Sequence, residues 1–111
     1  MTYSRWDVVA VPYPLVEGTE FKRRPGLIVS TDAFHEAHGL YWVVMITTAK
    51  AGVQADDIPI TEPSKAGLPQ NCVVRVSRLT TLSDRQIDRR LGTISPKLRN
   101  AVSGLLRKYA G

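Results

Sequence analysis

The stretch Leu40-Tyr41-Trp42-Val43-Val44-Met45-Ile46-Thr47-Thr48 constrains this chain more than any other. Its apolar and β-branched residues run almost without polar alternation, the pattern of a strand covered on both faces rather than on one. A strand of that kind needs partners at both edges and packing layers on both sides. The remaining segments supply them. Trp6-Asp7-Val8-Val9-Ala10-Val11-Pro12-Tyr13 reads as a first strand, with Pro12 and Pro14 where no ladder donor is required. A second runs from about Pro25 to Ser30 through the apolar Gly26-Leu27-Ile28-Val29. Asp57-Ile58-Pro59-Ile60 is a short strand that its proline places at an edge. Cys72 to Leu82 is a longer one; if it is regular, Arg75 and Ser77 share one face and Val74, Val76 and Arg78 the other.

Helical signals are fewer. Thr31 to Gly39 has a Thr/Asp start and a Gly stop, enough for a turn or two of helix. Ile87 and Leu91 are spaced for one turn between Asp84 and Arg90, after which Gly92-Thr93-Ile94 reads as a closing strand. The clearest helix is the last: Ser95 caps it, Pro96 takes its first position, and Leu98, Val102, Leu105, Leu106 and Tyr109 form one apolar stripe. Ala49 to Ala55 is small and polar, a mobile loop by composition, and Thr61 to Asn71 is a connection with two prolines and a glycine. Five or six short strands and one long C-terminal helix make a small, mostly β domain, barrel-like or α+β. At 111 residues with 43% hydrophobic content, the reading is one domain over 1–111.

Fifteen Lys and Arg stand against ten Asp and Glu, for a net charge of +5. Ten of the fifteen are arginine, whose planar fork suits phosphate and carboxylate partners. Nucleic acid and an acidic protein are therefore the partners to consider. Cys72 is the sole cysteine, so no disulfide framework or cysteine-based metal cluster is expected, and a reducing compartment is the simpler setting. The first residues lack the pattern of a secretory signal, and no apolar run approaches a membrane span; the expectation is a soluble, cytoplasmic protein.

Several chemistries lack their residues. His35 and His38 have no third ligand at convincing spacing, so neither a metal nor another cofactor is expected. No phosphate-binding Gly-rich loop, no dinucleotide fingerprint and no Gly-x-Ser-x-Gly elbow is present, and Cys72 has no evident histidine partner. What remains is a set of Arg, Thr, Ser and Glu near strand ends. RNA carries its own nucleophile, because the 2′-OH attacks the adjacent phosphorus once its proton is taken and the phosphorane is stabilised.

The loop Glu17-Gly18-Thr19-Glu20-Phe21-Lys22-Arg23-Arg24 leads straight into Pro25, which holds the preceding residue extended and so gives Arg24 a limited set of directions at the entrance of the second strand. Thr47 and Thr48 stand at the exit of the central strand and converge on Arg24 if the two strands are antiparallel neighbours. Each has a plainer reading: Arg24 as a solvated loop charge, the threonines as good strand formers, Arg75 as a surface charge.

Taken together, Trp6-Asp7-Val8-Val9-Ala10-Val11, Gly18-Thr19-Glu20 and Arg24-Pro25-Gly26-Leu27-Ile28-Val29-Ser30 resemble the N-terminal signature of the MazF/PemK/Kid-like toxins of type II toxin–antitoxin modules. Val43 to Thr48, Val73-Val74-Arg75-Val76-Ser77 and the final helix extend the likeness over nearly the whole chain. The resemblance implies an SH3-like or CcdB-like small β-barrel with a C-terminal α-helix, usually a homodimer, that cleaves single-stranded mRNA without metal and is held in check by an antitoxin. Carried over by position, Arg24 matches the catalytic arginine, Thr47 the catalytic threonine with Thr48 as its neighbour, and Glu20 the loop glutamate. Thr19, Lys22 and Arg23 flank them as RNA-binding candidates. Arg75 matches an arginine that some members use in catalysis, paired in PemK/Kid-like enzymes with an Asp two residues later.

Three departures stand out. Ser77 occupies the position of that Asp, the segment between Glu20 and Arg24 is a residue short, and Trp6 replaces the usual Gly before Asp7. A serine hydroxyl is no anionic proton acceptor, which leaves Glu20 or Asp7 as the base. The alternative is a non-catalytic module on the same fold: an RNA binder, or a CcdB-like gyrase inhibitor, which relies on C-terminal aromatic residues of which this chain has only Tyr109. Phe21 and Trp42 are the candidates for stacking on an unstacked base.

Overall fold

A computed structural model describes residues 2–14 and 21–111 of the chain. Its strands are β1 (Asp7–Pro14), β2 (Phe21–Ile28), β3 (Leu40–Thr48), β4 (Ile58–Pro59), β5 (Cys72–Ser83) and β6 (Arg89–Thr93), with helices α1 (Asp32–His38) and α2 (Pro96–Ala110). The six strands form one sheet in the order β4-β5-β3-β2-β1-β6, every recorded pair antiparallel. The sheet curls into a half-barrel, and the mostly β class with a C-terminal helix holds. β3 lies in its interior. Val43 and Val44, adjacent and so on opposite faces, are both 0% exposed, the two-sided burial that the unbroken apolar run demands.

One face packs Val8, Leu27, Val44, Ile46 and Val74 against Leu98 and Val102 of α2. The other gathers Val9, Val11, Ile28, Tyr41, Val43 and Leu82. Prolines mark where ladders stop. The β1–β6 ladder ends at Ala10–Arg89, before Pro12, and the two-residue strand β4 with Pro59 lies at the sheet's edge. Ser95 caps α2 through its Oγ, which accepts from the Leu98 N–H at 3.3 Å, and Pro96 opens the helix. The stripe on α2 is only half used: Leu98 and Val102 are buried, whereas Tyr109 is 61% exposed. No helix among the described residues is long and apolar enough to cross a membrane.

Two expectations change. The segment after Asp84 makes a 3-10 turn over Asp84–Gln86, and the closing strand starts earlier, at Arg89. Trp6 adopts φ 75°, the left-handed region that glycine enters freely and a bulky side chain enters at a cost of roughly 1–3 kcal/mol. The family's usual Gly at this position thus has a backbone reason, and Trp6 is held there by its N–H to the Ile28 carbonyl (2.8 Å) and by Arg5 stacked over its ring.

Gly92 is where the connection over 61–71 presses on β6. A Cβ there would stand 2.3 Å from the Lys65 carbonyl oxygen and 2.5 Å from the Ala66 carbonyl carbon. Gly92→Ala should therefore displace backbone and lower stability by about 1–3 kcal/mol in denaturant titrations. Gly104→Ala, on α2 with nothing within 4 Å, should instead stabilise by roughly 0.5–1 kcal/mol.

Candidate active site

Arg24 lies inside β2, not at its entrance, because the strand already begins at Phe21. It faces Val11 across the β1–β2 ladder and so projects on the face that carries Val11 and Val43. The β2–β3 ladder covers only Gly26–Met45, Leu27–Val44 and Ile28–Val43. It stops next to Pro25, which has no N–H to give. The alternation of the two strands puts Arg24 and Thr47 on the same face, each two residues beyond the last pair of the ladder, Gly26–Met45. Arg24 is half-buried and Thr47 is 8% exposed. Thr48, half-buried, alternates to the opposite face, so Thr47 is the threonine that shares a face with Arg24.

Arg23 is exposed, points to the other face from Arg24, and meets Asp88 at 3.6 Å. A cleft of about 250 Å³ adjoins this end of the sheet, lined by Arg23, Arg24, Pro25, Leu68, Asp88 and Arg89. Lys22 is part of β2. Thr19 and Glu20 lie outside the described residues.

Arg75 is not a surface charge. It is 8% exposed, and its Nε donates to Asp57 Oδ1 at 3.1 Å while Nη2 donates to Asp57 Oδ2 and to the Gly52 carbonyl, both at 2.9 Å. The Asp57 side chain is 1% exposed. Hydrogen bonding from Arg75 holds the Asp57 carboxyl below the usual carboxylate range, and the same bonds raise the Arg75 pKa further. Ser77 does not stay beside it. β5 slips against β3 between the pairs Val44–Leu79 and Met45–Arg75, which leaves Val76, Ser77 and Arg78 without partners on β3 and Ser77 exposed.

The loop after β3, mobile by composition, is tied at several points. Ala49 donates to the Asn71 carbonyl (3.1 Å), Gly52 to Ala49, and Gln54 N–H to Asp57 Oδ2 at 2.7 Å. Asp57 was not among the sequence candidates. No local signal pointed to it: an arginine between valines can take a strand's solvent side, and only the fold buries Arg75 against this carboxylate.

Other candidates lie away from Arg24 and Thr47. Asp7, the alternative base, accepts from the Ser4 N–H (2.9 Å) and from Arg90 Nε (2.9 Å), and stands four residues from Val11, roughly 13 Å along the strand. Trp42 projects to the face opposite Thr47, packs on Phe34 (centroids 4.4 Å apart), and with Leu79 and Leu106 lines an apolar groove of about 580 Å³. The side chain of Phe21 is outside the described set. Tyr109, the C-terminal aromatic, donates its hydroxyl to Asp56. His35 is half-buried rather than superficial: it stacks on Tyr41 (4.3 Å) and bonds Asp84 Oδ2 at 3.0 Å. That bond holds the Asp84 carboxyl below its ordinary range, whereas burial foremost pushes the Tyr41 hydroxyl up to about 12, so Tyr41 stays a neutral donor to Asp84. Burial likewise raises the Cys72 thiol, which keeps it unreactive. Among the described residues no three His, Cys, Asp or Glu side chains gather as metal donors.

Known proteins share this arrangement of strands. The structure of MazF from Deinococcus radiodurans superposes with a TM-score of 0.76 over 100% of this chain and 98% of its own, at 20% identity. The Mycobacterium tuberculosis toxin MazF-mt6 gives 0.72 over 92% and 93%, at 19% identity. An endoribonuclease in complex with its cognate antitoxin, from a mycobacterial species, gives 0.69 over 96% and 90%, at 23% identity. No curated protein sequence matches the chain. The family model of PemK-like, MazF-like toxins of type II toxin–antitoxin systems matches residues 4–109, and the chain belongs to that family.

Proposed function

We propose that this chain is an endoribonuclease toxin that cleaves single-stranded mRNA without a metal ion. The observation that carries the reading is the end of the β2–β3 ladder at Gly26–Met45, next to Pro25, with Arg24 and Thr47 on one face of the sheet just beyond it. A guanidinium and a hydroxyl so placed can both donate to the non-bridging oxygens of one phosphate. The 2′-oxygen attacks phosphorus, its proton passes to a base, the P–O5′ bond breaks, and the departing oxygen takes up a proton. The role of Arg24 is to neutralise the phosphorane with its planar, positively charged fork. With Asp7 committed to Arg90 at the far end of β1, Glu20 is the base we assign, with Thr19 and Lys22 along the RNA and Arg23 adding longer-range attraction for phosphate. Ser77, exposed and off the ladder, has no part in the chemistry.

The partner that silences the toxin is an antitoxin with an acidic segment, matched to the +5 charge of the chain. The working form is a homodimer, and the setting cytoplasmic. Purified protein should cut single-stranded RNA in EDTA, leaving a 2′,3′-cyclic phosphate and a 5′-hydroxyl. RNA that is bound with steep salt dependence but stays intact would replace this reading with a non-catalytic RNA-binding module.

A further inference from the structure

In the pattern this chain resembles, the carboxylate paired with Arg75 comes from two residues further along the same strand. Here it comes from Asp57, just before β4, and Arg75 is turned toward the segment between β3 and β4. Three of the guanidinium's N–H donors are spent on Asp57 and on the Gly52 carbonyl. Asp57 in turn accepts from the Gln54 N–H, so one buried ion pair closes both limbs of the loop over 49–57. That loop begins directly after Thr47 and Thr48. Arg75 faces Met45 and Val73 faces Thr47 across the β3–β5 ladder, which puts the clamp on the same side of the sheet as Thr47 and two pairs away. The side chains the loop turns outward, Lys50, Val53 and Gln54, are exposed, and Val53 is 69% so.

We propose that Arg75 is a positioning residue, which through Asp57 and the Gly52 carbonyl sets the 49–57 loop beside Thr47 so that Lys50, Val53 and Gln54 meet the base next to the scissile phosphate. This rests on the ribonuclease reading above. Arg75 acts through the loop and touches no RNA. Charge, apolar surface and an amide on one short loop suit the edge and face of an unstacked base.

The test compares Arg75→Met, Asp57→Leu, the double variant, and Arg75→Lys with the unaltered protein. The double variant removes both charges together, so neither is left unpaired in the interior. Each is assayed on a pool of random single-stranded RNA, on the preferred substrate for kcat and KM, and by amide hydrogen exchange over 49–57. The expected result is a preference among sites weakened about tenfold or more, a KM raised several-fold and kcat held within about threefold. Exchange in the loop should quicken. The double variant should be no worse than Arg75→Met, and Arg75→Lys should recover part of the preference. A kcat loss of about 100-fold or more with unchanged preference would place Arg75 on the phosphate and overturn the proposal. Unchanged preference, KM and exchange would overturn it as well. If the unaltered protein cuts no RNA, the ribonuclease reading and the role in base choice fall together, while the exchange data still decide whether the clamp exists.

Discussion

Replacing Arg24 with alanine is expected to lower RNA cleavage by about 100- to 1,000-fold, the cost of removing one preorganised donor from a developing oxyanion. In free energy this is roughly 3–4 kcal/mol on the barrier, and it should fall on kcat more than on KM, because the phosphorane carries charge that the ground-state phosphate does not. The fold should survive. Arg24 is half-buried and forms no salt bridge among the described residues, while its backbone pairing with Val11 does not depend on the side chain. Arg24→Lys keeps the charge and loses the planar fork, so an intermediate loss is expected. Arg23→Ala is the informative control. It removes an equal charge one residue away on the opposite face, where the partner is Asp88, and should change cleavage less than about tenfold through weaker phosphate attraction alone. Equal effects of the two substitutions would mean that Arg24 contributes net charge and not position.

How far the site was legible in the sequence depended on what kind of information each residue needed. The strands were legible because their signals are local: the two-sided run Leu40 to Thr48 forms β3 with the same limits, and the Ser95-Pro96 start of α2 is a capping pattern read within four residues. Pro25 was legible as a constraint on Arg24. What it does to the neighbouring ladder was not, since that follows only once β3 is known to lie on that side. Thr47 and Thr48 could not be separated without a register, and the register came from Gly26 facing Met45. The plainer reading of Arg75, a surface charge, fails for the opposite reason. A charge between valines looks like a strand's solvent side, and only a residue eighteen positions away in sequence, Asp57, makes it an interior one. The bulge that parts Ser77 from Arg75 has no local signature at all in Val76-Ser77-Arg78.

The same pair sets the largest stability effect expected for a single substitution. Asp57→Ala would leave the Arg75 guanidinium, 9% exposed at its side chain, without its carboxylate, and a buried charge so stranded typically costs about 3–5 kcal/mol. Against the roughly 5–15 kcal/mol that holds a domain of this size, that is a large fraction, visible as a fall in Tm of more than about 10 °C. The double substitution Asp57→Leu with Arg75→Met should be far milder, because desolvation of both charges is removed together with their attraction. The pH dependence has a definite sign. Pairing lowers the Asp57 pKa in the folded chain, so the unfolded chain binds the proton more readily. The pair's contribution is complete above the ordinary carboxylate value of about 3.9 and is lost as pH falls below it, through the folded-state pKa. In thermal melts the difference between the unaltered protein and the double variant should therefore be constant from about pH 5 to 8, and the unaltered protein should lose stability relative to the variant below about pH 4. Curves that stay parallel down to strong acid would show that the Asp57 pKa is the same in the folded and the unfolded chain, and that pairing with Arg75 does not lower it.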